Sequence, residues 1–528
     1  MVSARVNSVL TGNIDSIRER RGKVNKPVDK AVSFLKERGE LLSALACPRR
    51  LSSWDREVNM PPGAISGRGW ANGIVSQHCH ELAIDKRVGK NLKTVEESGE
   101  IGNLSLAEQR NIETVRKDYN KSTKLPSSFV REQSEVLTKA QRAWEEAKTK
   151  NNFSIFAPHL KKVVELARKE AAFIKADGIP YDVLLDNYEP GMTSSQLEGI
   201  FSPLRDETIQ LLRTIQGKGI KTPNGIIGKN YSISKQLKVA HDLLKIIGYD
   251  FNIGRLDVSA HPFTISIGPG DIRVTTRTLK DDPFSNIGSA VHEGGHGIHF
   301  QQVNKELIHE GLWTSPSLGI AESQSRFFEN LIGKSKPFWE FYYPKLQKAF
   351  PSQLRDISLD DFYLAMNFVE PSLIRTEADE LTYNLHIIMR FEIEKALMKG
   401  DIQVDDLPGI WTEKMGEYVG VKPEKVREGV LQDVHWSHGS FGYFPTYTLG
   451  NLIAPQLYAT VQKELGDLDE LKRKGDIIPI REWLGKKIHW YGDMLTPNEI
   501  VEGVTGEPLN PKYSANYMKA KFGSMYNL

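Results

Sequence analysis

Apolar residues recur three and four apart along most of this chain, the spacing of helices that each bury one face. Val32, Leu35, Leu41, Leu42 and Leu45 begin the pattern. Val136, Leu137, Ala140 and Trp144, then Leu160, Val163, Val164 and Ala167, carry it to about residue 176. Helical stretches continue over 194–216, 233–247, 283–400 and 450–520. Asn59-Met60-Pro61-Pro62-Gly63 separates two of the early helices. Only one region alternates as strands do: Thr264-Ile265-Ser266-Ile267 and Ile272-Arg273-Val274-Thr275-Thr276, joined by Gly268-Pro269-Gly270-Asp271. That is a hairpin. The expected fold is therefore mainly α with a small antiparallel sheet. Residues 1–30 are basic, polar and weakly periodic, and are expected to form a loosely ordered tail. With no repeat or composition break beyond them, 31–528 is expected to be a single helical domain.

Charge narrows the partners. Lys plus Arg number 69 against 67 Asp plus Glu, a net charge of +2. Neither a nucleic acid nor an anionic membrane is expected to bind so balanced a chain. Met1 to Asn13 lacks the apolar core of a secretory signal, and no stretch approaches the roughly 20 apolar residues of a spanning helix. Two cysteines, Cys47 and Cys79, are too few for a disulfide framework, so a reduced, cytoplasmic setting is expected.

The hairpin stands just before the segment with the most chemistry. Asp281-Asp282-Pro283 opens a helix with an acidic cap and a proline in the first turn. Along it, in His292-Glu293-Gly294-Gly295-His296, the two histidines lie one turn apart on one face. Two imidazoles so spaced can converge on one zinc. Glu293 is rotated away from them, where it can act as general base toward the attacking water. Gly294 and Gly295 each cost about 0.5–1 kcal/mol relative to alanine inside a helix. Close approach of a substrate or of a facing backbone would explain them. A hydrolytic zinc needs a third ligand, and Glu306, His309, Glu310, Glu322 and Glu329 all follow. The turn-rich stretch 311–319 separates a further helix, and Glu322 comes early in it, 26 residues beyond His296. Glu322 is the choice, completing a set of two histidines and a glutamate. His78-Cys79-His80 also suggests metal, but its spacing fits a helix surface better.

Several ordered motifs accompany this one. They are His261-Pro262-Phe263, Asp271-Ile272-Arg273-Val274-Thr275, Glu322-Ser323-Gln324, Ile374-Arg375-Thr376-Glu377-Ala378-Asp379 and Gly429-Val430-Leu431-Gln432-Asp433-Val434-His435-Trp436. Tyr181-Asp182-Val183-Leu184-Leu185-Asp186, Tyr188-Glu189-Pro190-Gly191-Met192 and Phe441-Gly442-Tyr443-Phe444-Pro445-Thr446-Tyr447 belong with them. Together they resemble the Taq-type zinc metallocarboxypeptidases over roughly Leu35 to Phe522. The resemblance implies a neurolysin-like helical fold with a deep groove, shared with angiotensin-converting peptidases. It also implies release of single C-terminal residues from peptides, a homodimer, and one zinc per chain for which cobalt or manganese can substitute. It strengthens Glu322 as third ligand. Ala321 departs from it, standing where the family has histidine. That departure adds a second reading, a weakly active peptide-binding relative, and within enzymes the alternative is an oligopeptidase cutting internally in the same groove.

The motifs also supply candidates around the metal. Arg273 and Arg375 are candidates for holding the substrate carboxylate, because a guanidinium grips it through two charge-assisted bonds. Their structural alternatives are pairing with Asp271 and Asp379. His435 and Tyr443 are candidates for stabilising the oxyanion. His261 could touch substrate, and Asp433 could orient a zinc histidine from behind.

Overall fold

The computed structural model describes residues 21–528, so most of the expected tail lies outside the described residues. Its last part is not tail. The first described helix, α1 (Lys26–Val58), starts inside it, with the Asn25 side chain accepting from the Val28 amide and proline in the first turn. Val28, Ala31, Val32 and Leu35 are buried against Val88, Leu92, Val95, Ile112 and Val115. These come from α3 (Lys86–Glu97) and α4 (Leu106–Lys124) and form a small apolar cluster of their own. Between α1 and α3 in the chain runs α2 (Ile65–Ala83), which buries nothing and carries His78, Cys79 and His80 on its surface. Among the described residues no helix is long and apolar enough to cross a membrane.

The main core is helical and surrounds the metal-site segment. Four later helices matter for it besides α5 (Ile233–Ile247): α6 (Pro283–Gln302), α7 (Leu318–Arg326), α8 (Tyr383–Lys399) and α9 (Pro445–Leu465). The expected hairpin forms from β2 (Thr264–Gly268) and β3 (Asp271–Thr276), paired antiparallel. A further strand, β1 (Gly254–Val258), pairs parallel with β3, so the sheet is mixed, in the order β1-β3-β2. Gly-Arg-Leu-Asp-Val alternates apolar with charged residues, but only over five positions and with two bulky apolar side chains, and its burial is irregular. What admits it is Gly254, because a Cβ there would collide with the Ile272 carbonyl and the Tyr249 hydroxyl.

Close packing explains the glycines of α6. Asp282 caps the helix by accepting from the Phe284 and Ser285 amides, with Pro283 in the first turn. A Cβ at Gly294 would lie 2.7 Å from Ile247 Cδ1 on α5. One at Gly295 would lie 2.7 Å from both the Gln324 carbonyl oxygen and Ser325 Cα on α7. A facing backbone, then, requires Gly295. The most extensive contact between described elements joins α7 to α9, and a Cβ at Gly450 would lie 2.7 Å from Glu322 Cβ. The helix that carries Glu322 is thus clamped between two glycine-bearing helices.

Gly288 tests this by contrast, since it lies in the same helix with open space around its Cβ position. Gly288→Ala is expected to be neutral or to stabilise by up to about 1 kcal/mol. Gly295→Ala is expected to destabilise by about 1–3 kcal/mol through overpacking. Denaturant unfolding of the two variants measures the difference, and equal shifts would contradict the clamp.

Candidate metal centre

His292, His296 and Glu322 come together, with one ligand atom from each lying within 4.8 Å of the others. His292 Nε2 is 3.8 Å and His296 Nε2 3.3 Å from Glu322 Oε2. A tetrahedral zinc with bonds of about 2.0–2.1 Å sets its ligand atoms roughly 3.3 Å apart, so these three fit one ion. Both histidine side chains keep some exposure, 19% and 18%. That leaves a side from which a substrate can approach.

The other candidates for the third ligand stand elsewhere. Glu310 pairs with Lys36 and His309 with Glu40. Glu306 lies in a short 3-10 turn. Glu329 stands behind the site, 2.8 Å from His292 Nδ1. It arrives there on a π-helical turn, Phe327–Gly333, that continues α7; such turns recur at functional sites. With Nδ1 held by Glu329, His292 keeps Nε2 for the side of His296 and Glu322, the arrangement usual for a histidine that ligates a metal. The expectation that Asp433 orients a zinc histidine is overturned. Asp433 is held elsewhere, and Glu329 does that work.

The charges around the ligands are closely paired. Arg326 Nε donates to Glu322 Oε1 at 2.7 Å and Nη1 to Glu329 Oε2 at 3.1 Å. Lys334 donates to Glu329 Oε1 at 2.8 Å. Burial would push the Glu322 carboxyl up, but Arg326 and the two imidazoles outweigh it and hold the group well below the ordinary range. Glu329 is held down likewise, by Lys334 and Arg326 against burial. Burial disfavours the charged form of His292, but the two carboxylates win and raise it. Glu293 is buried on α6, and its Oε2 accepts from Thr264 Oγ1 at 2.7 Å. Thr264 thus ties the base candidate to the first residue of β2.

A second buried cluster adjoins the first through Tyr383. The Arg326 guanidinium lies 4.8 Å from the Tyr383 ring, and Arg375 Nη1 donates to the Tyr383 hydroxyl at 2.9 Å. Arg375 Nε and Nη2 both donate to Asp433 Oδ1, at 3.0 and 2.8 Å. Arg390 holds the other oxygen of Asp433 at 2.7 Å. Arg375 therefore pairs with Asp433, not with Asp379, which instead accepts from the Leu381 and Thr382 amides. Two guanidiniums share one carboxylate, so this cluster carries a surplus positive charge. The Arg375 guanidinium also lies 5.1 Å from the Tyr447 ring.

The aromatic loop joins the same wall. Tyr443 lies 5.2 Å from His435, 5.5 Å from Tyr447 and 5.1 Å from Tyr188, ring to ring. Burial pushes its phenol up, and the charge of Glu322 adds to that. Burial pushes His435 down to about 4, so its imidazole is neutral near pH 7. Among the described residues its Nδ1 is buried without a hydrogen-bond partner.

Arg273 is placed differently. Its Nε and Nη2 donate to the two oxygens of Asp271, each at 2.8 Å, and its guanidinium lies 4.2 Å from the Trp54 ring of α1. This is the pairing with Asp271 that alternation along the strand allowed. His261 is exposed before β2, its carbonyl accepting from Ser259 Oγ. Ala321 is buried in α7 beside Glu322. Sequence reasoning missed the roles of Arg326, Thr264 and Arg390. Arg326 had a legible signal, since it follows Glu322 by four residues on a helix. Thr264 had none.

Two histidines one turn apart, a carboxylate from a second helix and a buried glutamate between the histidines define a metallopeptidase site. Residues 34–522 match the family described as Carboxypeptidase Taq (M32) metallopeptidase, and the chain belongs to that family. It is 39% identical over 478 residues to carboxypeptidase 1 of Bacillus subtilis, covering 90% of this chain and 95% of that one. Thermostable carboxypeptidase 1 of Thermus thermophilus is 39% identical over 491 residues, with 91% and 96% covered. The crystal structure of an M32 carboxypeptidase from Deinococcus radiodurans superposes with a TM-score of 0.91 at 32% identity, covering 94% of this chain and all of that one. The protein is a metallocarboxypeptidase that uses a divalent metal.

Replacing the two carboxylates separates ligand from support. Glu322→Ala is expected to abolish stable metal binding, and Glu329→Gln to weaken it about 10–100-fold. Competition with a chelator measures both. Full occupancy in Glu322→Ala together with loss in Glu329→Ala would mean that the wrong glutamate has been assigned.

Proposed function

We propose that the protein is a zinc carboxypeptidase, releasing single residues from the free C-terminus of peptides with Glu293 as general base. The observation that carries this reading is the convergence of His292, His296 and Glu322, with Glu293 on the same helix as the two histidines. His292 and His296 Nε2 and one oxygen of Glu322 would hold the ion. Zinc supplies Lewis-acid polarisation of the scissile carbonyl and eases deprotonation of the attacking water. Glu293 takes a proton from that water and then delivers a proton to the leaving amine. Thr264 Oγ1 aims the carboxylate by donating to it. Tyr443 and the neutral His435, with its partnerless Nδ1, are the donors assigned to the developing oxyanion.

Carboxylate recognition is assigned to Arg375. Its support is the surplus positive charge of the Arg375–Asp433–Arg390 cluster, linked through Tyr383 and Arg326 to Glu322. An anion that enters there meets a buried positive charge that Asp433 alone does not balance. Arg273 is a weaker candidate, since Asp271 balances its charge one to one, whereas Arg375 shares Asp433 with a second guanidinium. His261 remains assigned to substrate contact at the edge of the site. The homodimer and the reduced cytoplasmic setting belong to the same proposal. Unlinked Cys47 and Cys79 support the second, and exposed Trp70 and Ile74 on α2 offer apolar surface for the first.

Two measurements test the reading. Glu293→Gln is expected to keep its zinc while turnover falls at least about 10²-fold, the scale of losing a general base. Near-normal turnover of the metal-loaded variant would remove Glu293 from that role. Arg375→Ala is expected to cost about 2–4 kcal/mol in binding a non-cleavable peptide with a free C-terminus. The same change is expected to matter little for the amidated form. Equal losses on both peptides would make Arg375 structural, and internal cutting of an amidated substrate would favour an oligopeptidase.

A further inference from the structure

Helix α8 aligns three side chains along one face: Tyr383, Arg390 seven residues on, and Glu394 a further four. The first two hold Arg375 and Asp433, as described. The third is a wholly buried carboxylate with no part in the chemistry assigned so far. Its two oxygens collect donors from three separate segments. Trp436 Nε1 donates to Oε1 at 2.8 Å. The Gly442 amide donates to Oε2 at 3.0 Å, and the Tyr181 hydroxyl to the same oxygen at 3.1 Å. Trp436 directly follows His435, and Gly442 directly precedes Tyr443. Tyr181 opens the segment that leads to Tyr188, whose ring packs on Tyr443.

The backbone at Gly442 shows how tightly this junction is drawn. Its φ is +88°, and a Cβ there would lie 2.8 Å from Leu185 Cα. The amide therefore points where it does because a glycine permits the turn, and Glu394 is what it points at. A buried carboxylate is costly unless its oxygens are satisfied; burial pushes Glu394 up to about 7, and hydrogen bonds from three segments together offset part of that cost. Moving any one segment would leave the carboxylate short of a donor. Glu394 thus couples the placement of His435 to that of Tyr443.

We propose that Glu394 is a positioning residue for the reaction, holding the imidazole of His435 and the phenol of Tyr443 in register with the metal centre through its bonds to Trp436 and Gly442. The inference rests on the reading of His435 and Tyr443 as oxyanion donors. Among the described residues Glu394 bonds to Tyr181, Trp436 and Gly442, and to none of His292, His296 and Glu322.

The test uses the metal-loaded full chain. Glu394→Gln keeps the shape but turns one acceptor oxygen into an amino group facing donors. Its kcat is expected to fall about 10-fold or more, on the scale of a displaced oxyanion donor. KM should stay within about threefold and metal stoichiometry should not change, because neither carboxylate binding nor the ligands are touched. In the double variant with Tyr443→Phe the losses should fall well short of multiplying, since both act on one group. Unchanged kcat in Glu394→Gln, or losses that multiply in full, would overturn the inference. If Tyr443→Phe and His435→Ala both keep full kcat, the underlying reading fails instead. Should Glu394→Gln not fold, Trp436→Phe and Tyr181→Phe each delete one donor and keep a ring. The same loss confined to kcat is expected of Trp436→Phe, a smaller one of Tyr181→Phe, and full activity in both would overturn the proposal.

Discussion

The backbone contact between Gly295 of α6 and Gln324–Ser325 of α7 sets the distance on which the site depends. Helix axes ordinarily keep 8–10 Å apart because side chains intervene. Here a side chain is missing where the backbones meet, and another is missing where Gly450 of α9 faces Glu322. The carboxylate of Glu322 is short and its helix is pressed from both sides. It consequently reaches the Nε2 atoms of His292 and His296, which α6 supplies from a single face. Helix stability is given up at Gly294 and Gly295, and recovered as packing against α5 and α7.

Charge pairing carries the order outward from there. His292 is held by Glu329, Glu329 by Arg326 and Lys334, and Arg326 also by Glu322. Tyr383 then passes the connection to Arg375, Asp433 and Arg390. Few of these groups could be buried alone, since an unpaired charge in a core costs several kcal/mol. Buried together, they form a fixed electrostatic frame whose dipoles and charges need little reorganisation when a reaction develops charge. The surplus cation sits at one end of this frame and the trio of His292, His296 and Glu322 at the other. That polarity suits a substrate that ends in a carboxylate and is cut beside it.

Much of this was legible in the sequence, and the unread part has a common cause. The helix spacing, the Asp282 cap, the β2–β3 hairpin and the paired histidines are all local patterns, set within a few residues of one another. Glu322 could be proposed because a turn-rich stretch implied a returning helix. Partnerships between distant segments left no such trace. Asp433 was free on paper to serve a histidine 141 residues away in sequence or an arginine 58 away, and only the fold decides for Arg375. β1 escaped notice because its alternation is only five residues long, with Leu256 and Val258 its only bulky apolar side chains, and because its parallel partner is remote from any hairpin turn. For Gly295, the facing backbone named as one of two reasons proved correct, but which backbone faced it was unreadable.

The central claim is that three side chains from two closely packed helices form a single zinc site with one side open. X-ray absorption at the zinc edge of the loaded protein tests it most directly. The expected shell holds four or five light-atom ligands near 2.0–2.1 Å, with outer-shell scattering from two imidazoles and no sulfur. Scattering from one imidazole or none, a sulfur ligand, or an all-oxygen shell of six would contradict the site as described.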